Sequence, residues 1–279
     1  MIETRLAPRG PYSLAFSARL SSDATRTFRD GVFSAVLGAE LVRARQAPDG
    51  TVDVRAVTEQ GVERLRWMLA LDDDHSDFLR TVKDDRMLGP SSRALRGLRP
   101  VRVSTVAQAL LRAFCGQLIE AKRARRLEQK IIRTLCPPVG ENLHAAPTTR
   151  DLASLAPSQL RAMGLHASRA ASLVRLCRTI ELERLRDAPT AAVAARLGRE
   201  RGLGPWSIGV VCLEGLGRYE YGLARDLGLV KLASALWGRW VEAEETDELL
   251  VPYGEWAGLA SVYLLHGFGR GLVPLPLAA

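Results

Sequence analysis

The sequence lacks the features that would place it in a membrane or secreted class. No stretch reaches the roughly 18 consecutive apolar residues of a membrane-spanning helix, so we expect no membrane partner. The opening residues, "MIETRLAPRGPYSLAF", lack the long apolar core of a signal peptide. We therefore expect a mature protein of the cytoplasm.

Cysteine and histidine are scarce, at four residues each. The cysteines form no C-x-x-C pair and are Cys115, Cys136, Cys177 and Cys212. We expect reduced, partly buried thiols rather than a disulfide framework or a metal site. Because no cysteine follows Cys212, no iron–sulfur cluster is expected in the C-terminal part of the chain. The histidines show no metal-ligand spacing, so no metal ion is expected either.

Charge of one sign is concentrated in part of the chain. The 39 basic and 31 acidic residues leave a net charge of +8. Residues 101–140 hold eight Lys or Arg against two Glu, including the run "KRARR" at 122–126, whereas acidic stretches lie at 71–77 and 241–249. An anionic partner such as nucleic acid fits this pattern, although many soluble proteins carry a similar charge and the run could be a solvated helix face.

The first hundred residues predict a small α+β unit. "AELVRARQAPDGTVDVRAV" (39–57) reads as two strands around the turn at 48–50. Residues 12–20 alternate partly, and short helices are predicted over 23–33 and 62–72. Residues 87–102, rich in Gly, Pro and Ser, are interpreted as a link. We predict domains at 1–100 and 101–279.

The rest of the chain predicts a compact all-helical domain. From residue 104 the apolar residues follow helical spacing, beginning with a stretch over 104–135 in which Gly116 weakens the middle. Several shorter helical patterns follow, separated by prolines and short loops, as in compact helical domains. The fold class is therefore mostly α.

The decapeptide "GLGPWSIGVV" (202–211) predicts two helices joined by a tight hairpin. Thr190 can cap the first helix and Pro205 suits the first turn of the second. Gly202 and Gly204 can take positive φ, and without a Cβ they leave room for a phosphate at the free N–H groups of the second helix. A plain helix–turn–helix joint with two permissive glycines remains the alternative.

The order of features around this hairpin resembles the helix-hairpin-helix DNA glycosylase superfamily, and within it the bacterial 3-methyladenine DNA glycosylase II branch. "ERGLGPWSIG", followed by "ARDLGLVK", is similar to the family's L-P-G-I-G-x-W-T-A stretch and its later aspartate. "LLRAFCGQLIEAKRARRLEQKI" resembles the first core helix, and "PYGEWAGLASVYL" (252–264) the family's P-W-R-P-Y-A helix. The resemblance spans nearly the whole chain.

The resemblance implies a fold, a reaction and a partner. The fold is an all-helical glycosylase core preceded by a half-barrel, TBP-like α+β domain. The reaction is excision of an alkylated base, of the 3-methyladenine or 7-methylguanine type, by base flipping and hydrolysis of the N-glycosidic bond in base-excision repair. The partner is damaged double-stranded DNA, bound by a nucleoid-associated bacterial monomer. No cofactor is required, although Na⁺ or K⁺ can bind the hairpin backbone. An oxidised or deaminated purine, or non-catalytic DNA binding, remains an alternative.

The resemblance assigns the chemistry to Asp226. A carboxylate there can stabilise the cationic sugar and orient water, and an N-alkylated purine already carries positive charge and leaves without a second acid. Asp226 alone could equally be a simple helix cap. Family members with lyase activity place a lysine at the position of Trp206, so a monofunctional glycosylase without lyase activity is implied. The indole could stack on a cationic base or be an ordinary core residue.

The resemblance also assigns contacts to DNA and to the flipped base. The predicted DNA-binding residues are Gly202, Leu203, Gly204, Ser207, Gln117 and Leu118. Leu118 would wedge into the gap left by the flipped nucleotide, although a core leucine is equally compatible with its position. The predicted base pocket contains Trp206, Phe16 and Tyr263. Tyr263 is included because the family's usual aromatic in the last helix falls near Val262.

Overall fold

A five-stranded antiparallel sheet occupies the beginning of the chain in the computed structural model, which describes residues 1–117 and 119–275. Its strands are β1 (Ile2–Leu6), β2 (Arg26–Arg29), β3 (Val32–Leu37), β4 (Glu40–Gln46) and β5 (Val52–Ala56), in the spatial order β1-β5-β4-β3-β2. The two strands predicted around residues 48–50 are confirmed as β4 and β5, which pair with Ala44 opposite Val54. Description of this unit as a half-barrel stays a prediction.

One prediction in this unit is wrong. Residues 23–33, predicted as a helix, form β2 and the start of β3, joined at Asp30 and Gly31 with φ of 52° and 74°. Positive φ at both central residues is the geometry of the tight turns that join antiparallel strands, and Asp-Gly is a favoured pair there. Residues 12–20 contain a short helix, α1 (Leu14–Ala18), capped by the Ser13 side chain.

One helix covers the sheet. The predicted helix over 62–72 is present as α2 (Glu59–Met68), whose first turn is capped by the Thr58 hydroxyl. Its buried residues Val62, Leu65 and Met68 join the sheet residues in one hydrophobic core. Along β4, burial alternates with exposure, as expected for a sheet packed on one face.

Helices form most of the remaining chain. They are α3 (Ser76–Thr81), α4 (Leu88–Ala94), α5 (Val106–Gly116), α6 (Ala121–Leu135), α7 (Thr149–Ala153), α8 (Pro157–Met163), α9 (Ala167–Thr179), α10 (Thr190–Gly198), α11 (Pro205–Val210), α12 (Leu227–Trp237), α13 (Thr246–Leu250) and α14 (Ala257–Phe268). α11 continues as π-helix over Val211–Leu216, and 3₁₀ turns lie at Leu182–Asp187, Ala243–Glu245 and Val251–Trp256. The stretch over 104–135 is thus two helices that separate after Gly116. Within residues 1–117 and 119–275, no helix has the length and apolar character to cross a membrane.

A small β-ladder interrupts the part that was predicted to be entirely helical. It consists of β6 (Pro138–Gly140) and β7 (Leu143–His144), paired antiparallel with an irregular register. The prediction of a mostly α chain holds, and the prediction of an all-helical second part is corrected by this ladder.

The helices enclose two separate hydrophobic cores. The first helical core lies almost entirely within residues 103–216, and the second joins residues 78–98 to residues 229–273. The predicted link over 87–102 therefore contains α4, whose Leu88 is fully buried in the second helical core. The domain boundary at residue 100 stays a prediction. The hairpin before α11 belongs to the first core and α12 to the second, so the site described below lies where the two cores meet.

A buried ionic cluster ties the sheet unit to the first helical core. It consists of Asp23, Arg26, Arg112, Glu128 and Glu214. Arg112 on α5 bonds Asp23 at 2.5 Å and Glu128 at 2.9 Å, and also bonds Glu214 on the π-helical continuation of α11. Burial opposes its charge, but the surrounding Glu128, Glu214 and Asp23 carboxylates raise the pKa of Arg112 well above its ordinary value.

Replacing Arg112 by Met should destabilise the protein strongly. Asp23 and Glu128 are 0% and 3% exposed, and loss of their partner leaves buried charge uncompensated, at a cost of about 3–5 kcal/mol. Urea unfolding followed by circular dichroism measures the change. Arg5→Ala, which breaks an exposed pair with Asp53, is the control and should leave the midpoint nearly unchanged. Equal midpoints for the two variants would contradict this account of the cluster.

Candidate functional site

The hairpin between α10 and α11 presents glycine backbone to solvent. Gly202 has a φ of +94° and is exposed, as predicted. Gly204 is also exposed, but its φ of −94° and ψ of 179° are extended, so of the two glycines only Gly202 uses positive φ. A Cβ atom on Gly204 would meet no atom within 4 Å. The open space, rather than an unusual dihedral angle, is what lets another molecule approach the backbone here.

Three other predicted DNA-binding residues, Gln117, Leu203 and Ser207, have side chains that contact the hairpin or lie buried beneath it. Gln117 donates from Nε2 to the Gly202 carbonyl at 2.6 Å and to Ser207 Oγ at 3.0 Å. Ser207 is 2% exposed and Leu203 is 6% exposed, so neither side chain is available to a phosphate. The side chains of Leu203 and Ser207 therefore support the hairpin from inside, and contact of these two residues with DNA through the backbone stays a prediction. Leu118 lies outside the described residues.

An acidic residue in the turn is neutralised inside the protein. Glu200 stands where the family pattern has a neutral residue, and it is 9% exposed. Arg175 bonds it at 2.7 Å, and Arg196 bonds its other oxygen. The hydrogen bond from Arg175 lowers the pKa of Glu200. The carboxylate therefore contributes little negative charge to the exposed face of the hairpin.

The structure brings Asp226 and Trp206 together across 20 residues of sequence. Asp226 is the N-cap of α12, and its Oδ1 accepts a hydrogen bond from the Gly228 N–H at 2.7 Å. Its Oδ2 accepts from the indole Nε1–H of Trp206 at 2.9 Å. Both side chains are half-buried. Each carboxylate oxygen keeps acceptor capacity, so the group is held in one orientation and can still contact a substrate.

Trp206 is seated on a glycine at the end of α5. A Cβ atom on Gly116 would lie 2.4 Å from Cη2 of the indole, closer than any side chain tolerates. The sequence indicated only that Gly116 weakens a helix, whereas the structure shows that the Trp206 indole packs directly against Gly116. The indole's observed role is to donate to Asp226, and stacking on a base stays a prediction.

The two other predicted pocket aromatics have different surroundings. Tyr263 is fully buried, and its hydroxyl lies 3.1 Å from the Leu98 carbonyl and 3.3 Å from the Leu95 carbonyl. The predicted pocket role of Tyr263 is therefore corrected, because the residue fills the second helical core. Phe16 is half-buried at the edge of that core and lies 5.6 Å from the Arg270 guanidinium, so it stays a candidate.

Sequence reasoning missed Arg225, the residue directly before Asp226. Its φ of +68° lies in the left-handed region, which favours glycine. Its main-chain N–H and its guanidinium both bond residues of α13 and the turn before it. No sequence signal identifies an arginine as a left-handed residue, so only the structure could reveal it.

The hairpin backbone is compatible with the predicted monovalent cation. The carbonyls of Arg201 and Gly202 accept bonds from Ser172 and Gln117, and a carbonyl oxygen has a second lone pair. Binding of Na⁺ or K⁺ stays a prediction. Among residues 1–117 and 119–275, no group of three or more His, Cys, Asp or Glu side chains is arranged to hold a metal ion.

Known proteins of similar sequence and structure are DNA glycosylases. A DNA-3-methyladenine glycosylase of Bacillus subtilis (strain 168) is 24% identical over 216 residues, covering 74% of this chain and 71% of the relative. A 3-methyladenine DNA-glycosylase from Archaeoglobus fulgidus superposes with a TM-score of 0.80 at 22% identity, over 97% of this chain and 99% of that one. No protein-family model matches the chain.

A glycosylase for a different lesion is equally similar in fold. The 8-oxoguanine glycosylase/lyase of Clostridium acetobutylicum, in complex with double-stranded DNA containing cytosine opposite 8-oxoguanine, has a TM-score of 0.79 at 14% identity, over 97% of this chain and 99% of that one. The chain therefore has the fold of the helix-hairpin-helix DNA glycosylases, which confirms the resemblance seen in the sequence.

Gly116→Ala should displace Trp206 and destabilise the protein. The new methyl group would overlap the indole, and overpacking of this kind costs about 1–3 kcal/mol. Thermal unfolding and the indole N–H signal of Trp206 in a ¹H–¹⁵N correlation spectrum measure both effects. Gly204→Ala is the matched control, because its Cβ would meet open space at an allowed φ. A Gly116→Ala protein as stable as the control, with an unmoved indole signal, would refute the contact.

Proposed function

We propose that this protein is a DNA glycosylase that removes damaged bases from double-stranded DNA in base-excision repair. The observation that carries the proposal is the Asp226 carboxylate, oriented by Trp206 Nε1 at 2.9 Å and Gly228 N at 2.7 Å. The fold shared with DNA glycosylases supports it. So does the hairpin with exposed Gly202 and Gly204 in the same part of the molecule.

The hairpin fixes the protein on the DNA backbone. The first N–H groups of α11 have no partner within the helix, and the positive end of the helix dipole favours a phosphate there. Exposed basic residues of α6 add sequence-independent attraction, and they are Lys122, Arg123, Arg126, Lys130 and Arg133. Such contacts set the position of the protein and leave recognition of the lesion to the flipped base.

Asp226 acts on the sugar of the flipped nucleotide. As the N-glycosidic bond breaks, the sugar becomes an oxocarbenium-like cation, which a held carboxylate stabilises electrostatically. The same carboxylate orients the water that attacks the anomeric carbon. The water's oxygen joins this carbon, one proton is lost to solvent, and the base departs with the electron pair of the broken bond.

We further propose that the substrate is an N-alkylated purine of the 3-methyladenine or 7-methylguanine type. Such a base already bears positive charge and leaves as a neutral molecule without a general acid. The relatives named for 3-methyladenine favour this class. The fold similarity to an 8-oxoguanine glycosylase/lyase supports an oxidised purine as the second candidate.

The residue at position 206 favours hydrolysis without strand cleavage. A lyase needs an amine that forms a Schiff base with the opened sugar. Trp206 offers an indole N–H, which is not a nucleophile and is already bound to Asp226. We expect the protein to leave an intact abasic site, acting as a monomer in the bacterial cytoplasm and at the nucleoid, without a required cofactor.

Asp226→Asn should abolish base release while duplex binding survives. Loss of the negative charge removes stabilisation of the sugar cation, and one such electrostatic contact is worth roughly 10²–10³-fold in rate. Single-turnover base release and the Kd for a lesion duplex measure the two properties. Asp53→Asn, at a solvent-accessible position of strand β5, is the control and should match the wild type. Undiminished base release by Asp226→Asn would remove Asp226 from the mechanism.

A panel of duplexes, each with one lesion, tests the substrate class and the absence of lyase activity. We expect release of 3-methyladenine or 7-methylguanine, with the product strand cut only after alkali. Strand cleavage before alkali would contradict a monofunctional enzyme, and release of 8-oxoguanine alone would establish the second candidate. Trp206→Lys should not by itself create strand cleavage, because a Schiff base also needs a pocket that admits its geometry.

A further inference from the structure

A strained turn delivers Asp226 to its position. Leu223, Ala224, Arg225 and Asp226 form a turn closed by a hydrogen bond from the Asp226 N–H to the Leu223 carbonyl at 3.0 Å. Arg225 is its third residue and has a φ of +68°. An arginine there crowds its own Cβ against the backbone, so the conformation persists only if neighbouring groups hold it.

The main chain of Arg225 is held by Thr246. The Arg225 N–H donates to Thr246 Oγ1 at 2.7 Å, and Thr246 Oγ1 donates in turn to the Ala243 carbonyl at 2.7 Å. Thr246 is fully buried. Its hydroxyl therefore links the strained residue to the turn at the start of α13.

The side chain of Arg225 is held by two acids from the same region. Its guanidinium lies 3.1 Å from Glu244 and 3.3 Å from Asp247. These residues and Thr246 belong to the acidic segment, residues 241–249, which the charge pattern of the sequence separated from the basic part of the chain. Arg225 is 34% exposed, so the pairs are partly shielded from solvent.

We infer that Arg225 is a positioning residue and that the acidic segment holds it in the left-handed conformation that directs Asp226 toward Trp206. The backbone direction at Arg225 determines where the next Cα–Cβ bond points. If the turn relaxes, the 2.9 Å contact between Asp226 Oδ2 and Trp206 Nε1 is lost. We call these contacts between the acidic segment and Arg225 the brace. The effect of the brace on catalysis rests on the proposed function, whereas its effect on the position of Asp226 does not.

Comparing Arg225→Gly with Arg225→Ala tests the brace. Glycine adopts positive φ without help, whereas alanine keeps the strain and loses both ion pairs. If Arg225 acts through its backbone conformation, the glycine variant should keep the contact between Asp226 and Trp206 that the alanine variant loses. If the Arg225 guanidinium instead contacts DNA, its loss should lower the affinity for the duplex equally in both variants. Arg239→Ala is the matched control, because Arg239 pairs with Glu245 of the same acidic segment and bonds neither Arg225 nor Asp226.

Two readouts separate this inference from the proposed function. The Trp206 indole signal in a ¹H–¹⁵N correlation spectrum, identified by its loss in Trp206→Phe, reports the contact with Asp226 without any substrate. Single-turnover release of an alkylated base and the Kd for the duplex report catalysis and binding. If the wild type releases no base from any lesion, the proposed function fails, and the indole signal still decides the positioning role.

We expect Arg225→Ala to move the indole signal toward its position in Asp226→Ala and to slow base release about tenfold, the loss of one modest transition-state contact. Arg225→Gly should keep the signal near the wild type and the rate within about threefold, since relief of strain offsets the lost pairs. Arg239→Ala should change neither. Thr246→Val should behave like Arg225→Ala, and Thr246→Ser should restore the wild-type signal and rate.

Indistinguishable glycine and alanine variants, in signal and in rate, would overturn the inference. A fall in duplex affinity of the same size in both would overturn it too and would assign Arg225 to DNA contact. Where Thr246→Val does not fold, as judged by thermal unfolding, the comparison at position 225 decides alone.

Discussion

The site depends on one hydrogen bond, from the indole Nε1–H of Trp206 to Oδ2 of Asp226. It joins two helices that belong to different hydrophobic cores, α11 in the first and α12 in the second. Neither core alone could place a carboxylate beside the hairpin. Gly116 under the indole and Gln117 beside the hairpin fix one end of this bond, and Gly228 and Arg225 fix the other.

Charge in this protein serves alignment as well as attraction. The ionic cluster around Arg112 reaches Glu214, at the far end of the helix that begins at Pro205, and so braces the hairpin helix against the sheet unit. Glu200 is neutralised by two arginines within the turn. Carboxylates of the acidic segment form ion pairs with Arg225 and Arg239. The exposed lysines and arginines of α6 remain to attract a polyanion.

The sequence predicted the parts of the site that depend on local order along the chain. Glycines, a proline and an aspartate in series indicated a hairpin and a capped helix, and these were found. It could not predict which way side chains face, because tertiary packing decides that. Ser207, Leu203 and Tyr263 therefore proved to be interior, and Gly204 proved to be extended. The Asp30–Gly31 pair is a sequence signal for the tight turn between β2 and β3, whereas the left-handed conformation of Arg225 has no sequence signal.

The central claim is that the Asp226 carboxylate stabilises a sugar that is becoming positive. A duplex with a pyrrolidine abasic nucleotide carries that positive charge permanently, and a tetrahydrofuran nucleotide is its neutral counterpart. Because an enzyme binds features of the transition state more tightly than those of the ground state, the wild type should prefer the cationic duplex by about a hundredfold or more. In Asp226→Asn the two Kd values should converge. Equal Kd values for the two duplexes in the wild type would contradict the account.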